Sequence, residues 1–200
     1  MFVKKTISNQ LKDAEIRKDP VIIRVNSFDE ESAAKFIRQV GEAHNTGQPI
    51  IPIVIDSYGG QVYSLMAMIS AIKNSELPVA TIVEGKAMSC GALLFSFGTE
   101  GHRYMDPYAT VMIHDVSAGA IGKIEELKAN SEEANRLNEQ VFKMMAQNIG
   151  KSDKYFLKRI HEKGHADWYL PPEECKKINL ANHLRVPVLN IKINVEMELE

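Results

Sequence analysis

This chain has little of several features that mark large classes of protein. Its two cysteines, Cys90 and Cys175, are too few for a disulfide framework and fit a reducing compartment. With 24 basic and 26 acidic residues the formal net charge is -2, so no basic excess supports nucleic-acid binding. The sequence lacks an apolar run of the roughly 20 residues that span a bilayer, and its start has no signal-peptide core. We expect a soluble, cytoplasmic protein without membrane or nucleic-acid partners.

The remaining sequence alternates between β-rich and helical patterns. Its 200 residues suit one domain with a sizeable core, and no repeat or low-complexity segment interrupts it. The β-rich runs are at residues 21–25, 50–55, 79–83 and 110–114, and the helical patterns between them are at 30–44 and 62–75. This order predicts an α/β fold, in which helices cover a sheet.

Three of these strands end in residues that suggest chemistry. The run GKAMSCGA places Ser89 between a strand and an apolar helix, a turn that exposes a hydroxyl at the helix N-terminus. The run IPIVID breaks into SYGG at residues 57–60, whose glycines permit a close approach of backbone and so provide a plausible floor for an oxyanion. The run TVMIH ends on His114, and histidine is the usual general base for a serine nucleophile.

The motifs SYGG, GKAMSCGALL and VMIHD, in this order, resemble those of the ClpP family of self-compartmentalised serine proteases. Each motif is weak alone, whereas the ordered set is specific, and the resemblance runs from about residue 20 to about residue 184. It implies a ClpP/crotonase-like fold of repeated ββα units with a protruding handle strand and helix. A divergent or virus-encoded member of the family is compatible with the sequence.

The resemblance also assigns roles to individual residues. Ser89 falls on the family's nucleophile, His114 on its general base, and the backbone N–H groups of Gly60 and Cys90 on its oxyanion hole. For the acid that orients the imidazole, Asp115 adjoins His114, but adjacent strand residues point to opposite faces. The family match favours Asp167 instead, although the segment between residues 151 and 167 is longer than the family's.

The family's handle and rings imply further expectations. The handle is expected at about residues 116–149, and apolar residues at steps of three and four predict an amphipathic helix over 124–149. In the family the handle interlocks two stacked heptameric rings, and its strand holds a polypeptide substrate in extended form. An ATP-driven unfoldase is a further implied partner. The expected substrate-strand residues are Gly59, Gln61, Val62, Val116, Ser117 and Ala118.

The two ends of the chain differ from the family. Residues 1–19 form a divergent N-terminal segment, residues 20–185 the peptidase domain, and residues 186–200 an extension. Apolar and polar residues alternate from 189 to 200, which predicts an amphipathic strand. Because an unpaired strand risks aggregation at its edge, we expect this one to pair within the chain or with a neighbouring subunit.

Other arrangements of the same residues remain open. Cys90 could act as the nucleophile if its thiolate were stabilised, and Lys86 could form a serine–lysine dyad with Ser89. The run from His161 to His165 satisfies the H-E-x-x-H zinc pattern, but Gly164 weakens the continuous helix that this pattern needs. We interpret that match as a coincidence and expect no metal site.

These observations predict a serine endopeptidase that hydrolyses unfolded proteins or peptides inside a ring-shaped chamber. The reaction would pass through an acyl-enzyme on Ser89, with His114 as general base and no metal or organic cofactor. The alternatives are a catalytically silent ring subunit, a virus-type maturation protease that cleaves a capsid scaffold, and an acyl-CoA hydratase or isomerase of the wider fold. The last would need a carboxylate base, whereas this chain offers a serine and a histidine.

Overall fold

The main body of the protein is a six-stranded sheet covered by helices. The structure is a computed structural model that describes residues 3–6, 19–117, 119 and 121–192. The strands follow the order β2-β3-β4-β6-β7, and β5 pairs with β4 beside this path. The strands are β2 (Ile23–Val25), β3 (Ile51–Ser57), β4 (Val79–Met88), β5 (Arg103–Met105), β6 (Thr110–Ile113) and β7 (Trp168–Leu170).

The strand pairs are parallel except that β6 and β7 run antiparallel. In β3 every residue but Asp56 is buried. A parallel strand that is covered on both faces has a nearly continuous apolar sequence, as β3 does. Parallel strands also need crossover connections, and the helical patterns between the predicted strands supply them. The α/β fold expected from the sequence is therefore confirmed.

Six helices lie among the described residues. They are α1 (Glu30–Ala43), α2 (Val62–Lys73), α3 (Cys90–Ser96), α4 (Ile124–Asn148), α5 (Tyr155–Glu162) and α6 (Pro172–Lys177). Helix α1 begins at a capping box, in which the Asp29 carboxylate accepts a hydrogen bond from the Ser32 amide at 2.7 Å. No helix in the described part of the chain combines the length and the apolar character that crossing a membrane requires.

Strand β4 is longer than the sequence predicts, and three short elements were not predicted. Strand β4 extends to Met88, five residues beyond the predicted end, because its last three residues, Lys86 to Met88, pair with β6. This extension carries the chain directly to Ser89. Strands β5 and β7 and helix α5 are too short for a periodic pattern to reveal them, and α5 accounts for the long interval before Asp167.

Among the described residues of the handle, the regular element is helix α4. Helix α4 matches the predicted amphipathic helix to within one residue at its C-terminal end. In the expected handle strand, residues 116, 117, 119 and 121–123 lie outside the strands, and Ala118 and Ala120 lie outside the described residues. A strand needs a hydrogen-bonded partner, and the described part of the chain provides none for this segment.

A second, two-stranded sheet joins the two ends of the chain. Strand β1 (Val3–Thr6) runs parallel to β8 (Leu189–Lys192), with Val3 opposite Leu189. The C-terminal run was expected to pair within the chain or with a neighbouring subunit, and its first four residues pair within the chain. Residues 193–200 of the same run lie outside the described residues.

Candidate active site

Ser89 occupies a sharp turn between β4 and α3. It is the single residue between the two elements, and its φ of 55° lies in a region that non-glycine residues rarely adopt. Its amide donates a hydrogen bond to the Met112 carbonyl at 2.9 Å, and its own carbonyl accepts from Ala92 and Leu93 in α3. Such strain persists only where the surroundings fix it, and a strained strand-to-helix turn is the setting of an exposed nucleophile.

The turn at Gly59 and Gly60 packs directly against Ser89. Both glycines have positive φ, 104° and 152°. A Cβ on Gly59 would lie 2.7 Å from the Ser89 Cβ and 3.2 Å from its Oγ, and one on Gly60 would lie 2.5 Å from the Phe28 carbonyl oxygen. Gln61 donates its amide to that same carbonyl at 2.7 Å, which fixes the turn from the other side. Only glycine therefore fits at these two positions.

Cys90 contributes its backbone to the site and buries its side chain. The residue is 2 % exposed, and its thiol donates a hydrogen bond to the Gly60 carbonyl at 3.2 Å. Burial raises the pKa of the Cys90 thiol to about 11. As the first residue of α3, Cys90 has an amide without an intrahelical acceptor. This environment disfavours Cys90 as nucleophile and leaves its N–H for an oxyanion.

Ser89 and His114 line one cavity of about 160 Å³. Gly60, Cys90, Val116 and Ser117 border the same space. The remaining lining residues are apolar: Val62, Leu65, Leu93, Ile113 and Val141. Strand β6 brings His114 there because its neighbour Ile113 is the last residue of that strand, and β6 pairs with the end of β4 that leads into Ser89.

Asp167 directly precedes β7, the strand that pairs with β6. Strand β6 pairs Met112 with Tyr169 and Ile113 with Trp168. Extending this register by one residue places His114 opposite Asp167, and directly opposed residues have Cβ atoms about 5 Å apart. No hydrogen bond links Ser89, His114 and Asp167 within the described part of the chain. Such contacts often tighten only when substrate binds.

A family comparison identifies the family of the chain. The family model for Clp protease matches residues 5–186. The chain belongs to the Clp protease family. The match spans most of the chain, from strand β1 to the residues just before β8. It includes the turns that carry Ser89 and His114.

Lys86 is unsuited to a dyad in this Clp protease. Its ammonium forms an ion pair with the Asp56 carboxylate at 2.8 Å and lies 4.4 Å from the centre of the Tyr58 ring. The hydrogen bond to Asp56 raises the pKa of Lys86. A lysine that acts as general base needs a lowered pKa, so the surroundings favour His114 in that role.

The H-E-x-x-H run does not form a zinc-binding helix in this Clp protease. Helix α5 ends at Glu162, and Gly164 and His165 have φ values of 66° and 61°. The chain therefore turns before the second histidine, so the two imidazoles do not lie on one face of a continuous helix, as the motif requires.

Asp115 binds two side chains that the sequence analysis did not connect with it, Asn138 and His165. Its carboxylate accepts a hydrogen bond from the His165 Nδ1 at 2.6 Å and another from the Asn138 Nδ2 at 2.8 Å. The alternation of side chains along a strand had disfavoured Asp115 as the orienting acid, and these contacts agree. Asn138 is a polar residue on the amphipathic helix α4, and no local pattern distinguishes it from its neighbours.

Two of the expected substrate-strand residues already use backbone groups within the chain. The Gln61 amide donates to Phe28, and its carbonyl accepts from Leu65 in α2 at 3.1 Å. The Val116 amide donates to the Asn138 Oδ1 at 3.0 Å. Pairing with an extended peptide would therefore rely on other backbone groups of the two segments, such as those of Ser117.

Proposed function

We propose that this Clp protease is a serine endopeptidase with Ser89 as nucleophile, His114 as general base and Asp167 as the acid that orients the imidazole. The observation that carries the proposal is the strained turn at Ser89, which opens into the cavity that His114 also lines. The register of β6 and β7, extended by one residue to His114 and Asp167, supports the third role.

The reaction follows from these positions. The Ser89 Oγ attacks the carbonyl carbon of a peptide bond while His114 takes the hydroxyl proton. The amides of Gly60 and Cys90 stabilise the oxyanion, and one such donor lowers the activation free energy by roughly 3 to 4 kcal/mol. When the intermediate collapses, the C–N bond breaks and His114 returns its proton to the leaving amine. Water, deprotonated by His114, then hydrolyses the acyl-enzyme and restores Ser89.

The substrate class follows from the cavity and the family. Six aliphatic side chains line its wall, which favours an apolar side chain of the substrate beside the scissile bond. We place the site inside a chamber of two stacked heptameric rings, where unfolded polypeptides or peptides bind as an added strand next to Val116 and Ser117. An ATP-driven unfoldase is the partner that would deliver folded substrates.

A fluorophosphonate probe tests the nucleophile directly. Wild type, Ser89→Ala, His114→Ala and Ser117→Ala would be labelled under native conditions, and the labelled residue located by mass spectrometry. We expect the probe to label wild type and Ser117→Ala but neither Ser89→Ala nor His114→Ala. Ser117→Ala is the control because Ser117 is a second serine that lines the same cavity. An assembled wild type that takes no label would contradict the proposal and favour the catalytically silent ring subunit.

A further inference from the structure

We propose that Asp115, Asn138 and His165 form a positioning network that aligns the segments carrying His114 and Asp167. The inference rests on the proposed function and extends it to three residues outside the cavity wall. Asp115 accepts from both partners, so the network joins the end of β6, the handle helix α4 and the turn before β7. The first two segments contribute His114 and Val141 to the cavity, and the third leads to Asp167.

The Asp115–His165 contact continues the pairing of β6 and β7 beyond the last ladder pair. That ladder ends at Ile113 and Trp168. The next link between the two segments is the 2.6 Å hydrogen bond from His165 to Asp115. His114 and Asp167 thus lie between a ladder pair on one side and this contact on the other. The Ile113–Trp168 pair and the His165–Asp115 hydrogen bond together are expected to keep His114 and Asp167 close to each other.

His165 is itself held in place by its own backbone. Its amide donates to the Ile160 carbonyl at 3.0 Å, and its φ of 61° turns the chain out of α5 toward Asp167. The imidazole therefore connects a turn that is anchored on α5 to the end of β6. Without that side chain, only the backbone of the turn would determine where Asp167 lies.

Asn138 fixes the residue on the other side of Asp115. Its Nδ2 donates to the Asp115 carboxylate, and its Oδ1 accepts from the Val116 amide at 3.0 Å. One side chain on the handle thereby sets both the direction of Asp115 and the path of the backbone into Val116 and Ser117. Since those two residues line the cavity, Asn138 is expected to affect substrate binding, and His165 to affect the chemical step.

The network is too exposed to contribute much to global stability. The side chains of His165 and Asp115 are 60 % and 30 % exposed, and ion pairs at such positions stabilise a fold little. Substitutions are therefore expected to leave folding and assembly intact. A change in catalysis can then be assigned to positioning.

The test compares two replacements of His165 in the full-length protein. His165→Gly removes the imidazole and keeps the backbone free to adopt positive φ, whereas His165→Asn also tolerates that φ but retains a hydrogen-bond donor. With a fluorogenic peptide we expect His165→Gly to lower kcat roughly tenfold or more at unchanged KM, since small misplacements of catalytic groups cost rates of this order. His165→Asn should restore most of the loss. His102→Ala, which removes an imidazole bonded to the Glu100 carbonyl, is the matched control and should match wild type.

Two further comparisons make the interpretation specific. Asn138→Ala should raise KM, whereas Asn130→Ala, at an exposed position on the same helix, should not. In an Asp167→Ala background, His165→Gly should cause no additional loss, because it acts through Asp167. An equal loss in both backgrounds, or a His165→Gly variant as active as wild type, would overturn the inference while the proposed function stands. A wild type that neither cleaves peptide nor takes the fluorophosphonate label would overturn the proposed function itself.

Discussion

At the scale of single residues, the site depends on a close contact between a glycine and a serine. Ser89 has a backbone conformation that costs a non-glycine residue on the order of 1 to 3 kcal/mol, and Gly59 leaves the space that this conformation needs. The proposed chemistry therefore depends on the lack of a Cβ at residue 59 as well as on the Ser89 hydroxyl.

We expect Gly59→Ala to abolish fluorophosphonate labelling of Ser89 without unfolding the protein. The added methyl would overlap the Ser89 side chain, so either the turn or the serine must move. Gly47→Ala is the control, because residue 47 also has positive φ, 75°, but its Cβ would meet no atom within 4 Å. Labelling of Gly59→Ala at the rate of Gly47→Ala would show that this contact does not determine the position of Ser89.

The buried thiols lead to a second prediction at this scale. Burial raises the pKa values of Cys90 and Cys175 to about 11 and about 12. At pH 8 the thiolate fraction of Cys90 is then about one part in a thousand, and the thiolate is the reactive species. We expect intact-mass measurements to show no iodoacetamide adduct on the folded protein and two on the unfolded chain. Rapid alkylation of Cys90 in the folded protein would contradict this prediction and support Cys90 as the nucleophile.

At the scale of elements, a buried arginine connects β5 to the C-terminal part of the domain. Arg103 is 1 % exposed, and its guanidinium donates to the carbonyls of Gly98, Asn179 and Leu180 at 3.0–3.1 Å. It also pairs with Glu100 at 2.7 Å and lowers the pKa of that carboxyl. One side chain thus satisfies several carbonyls where the chain returns to β5 after α6.

We expect Arg103→Met to lower the free energy of unfolding by roughly 3 kcal/mol or more, because it leaves buried carbonyls without donors. Arg38→Met is the matched control: Arg38 pairs with Glu42 at an exposed position on α1, where such a pair contributes about 1 kcal/mol or less. Denaturant unfolding at fixed protein concentration measures both variants. Equal midpoints for the two would contradict the structural role of Arg103.

At the scale of the whole molecule, apolar residues at the start of the handle remain uncovered in the single chain. Ile121, Ile124 and Leu127 are exposed, Ile124 to 72 %. Burying one such side chain in a subunit contact contributes about 1.5 to 3 kcal/mol. Because every subunit of a ring would add this contribution, burial of these side chains would stabilise the proposed contact between two stacked rings.

Ile124→Glu is therefore expected to convert the proposed two-ring assembly into a smaller species. Asn130→Glu adds the same charge at an exposed polar position of the same helix and should leave the assembly unchanged. Sedimentation velocity distinguishes the two. If Ile124→Glu sediments like wild type, this part of the handle does not form the ring contact.

The sequence by itself determined the elements with a clear period and the motifs with a specific order. Long buried strands such as β3 and the amphipathic helix α4 follow from local patterns, and Ser89, His114 and the glycine turn stand where three strands end. Short elements such as β5 and β7 carry too few residues to show a period. They form because neighbouring strands offer hydrogen-bond partners. The tertiary structure alone decided that β7, which follows Asp167, pairs with the strand that leads to His114, that Asp115 binds Asn138 and His165, and that Arg103 is buried, because each depends on segments that are distant along the chain.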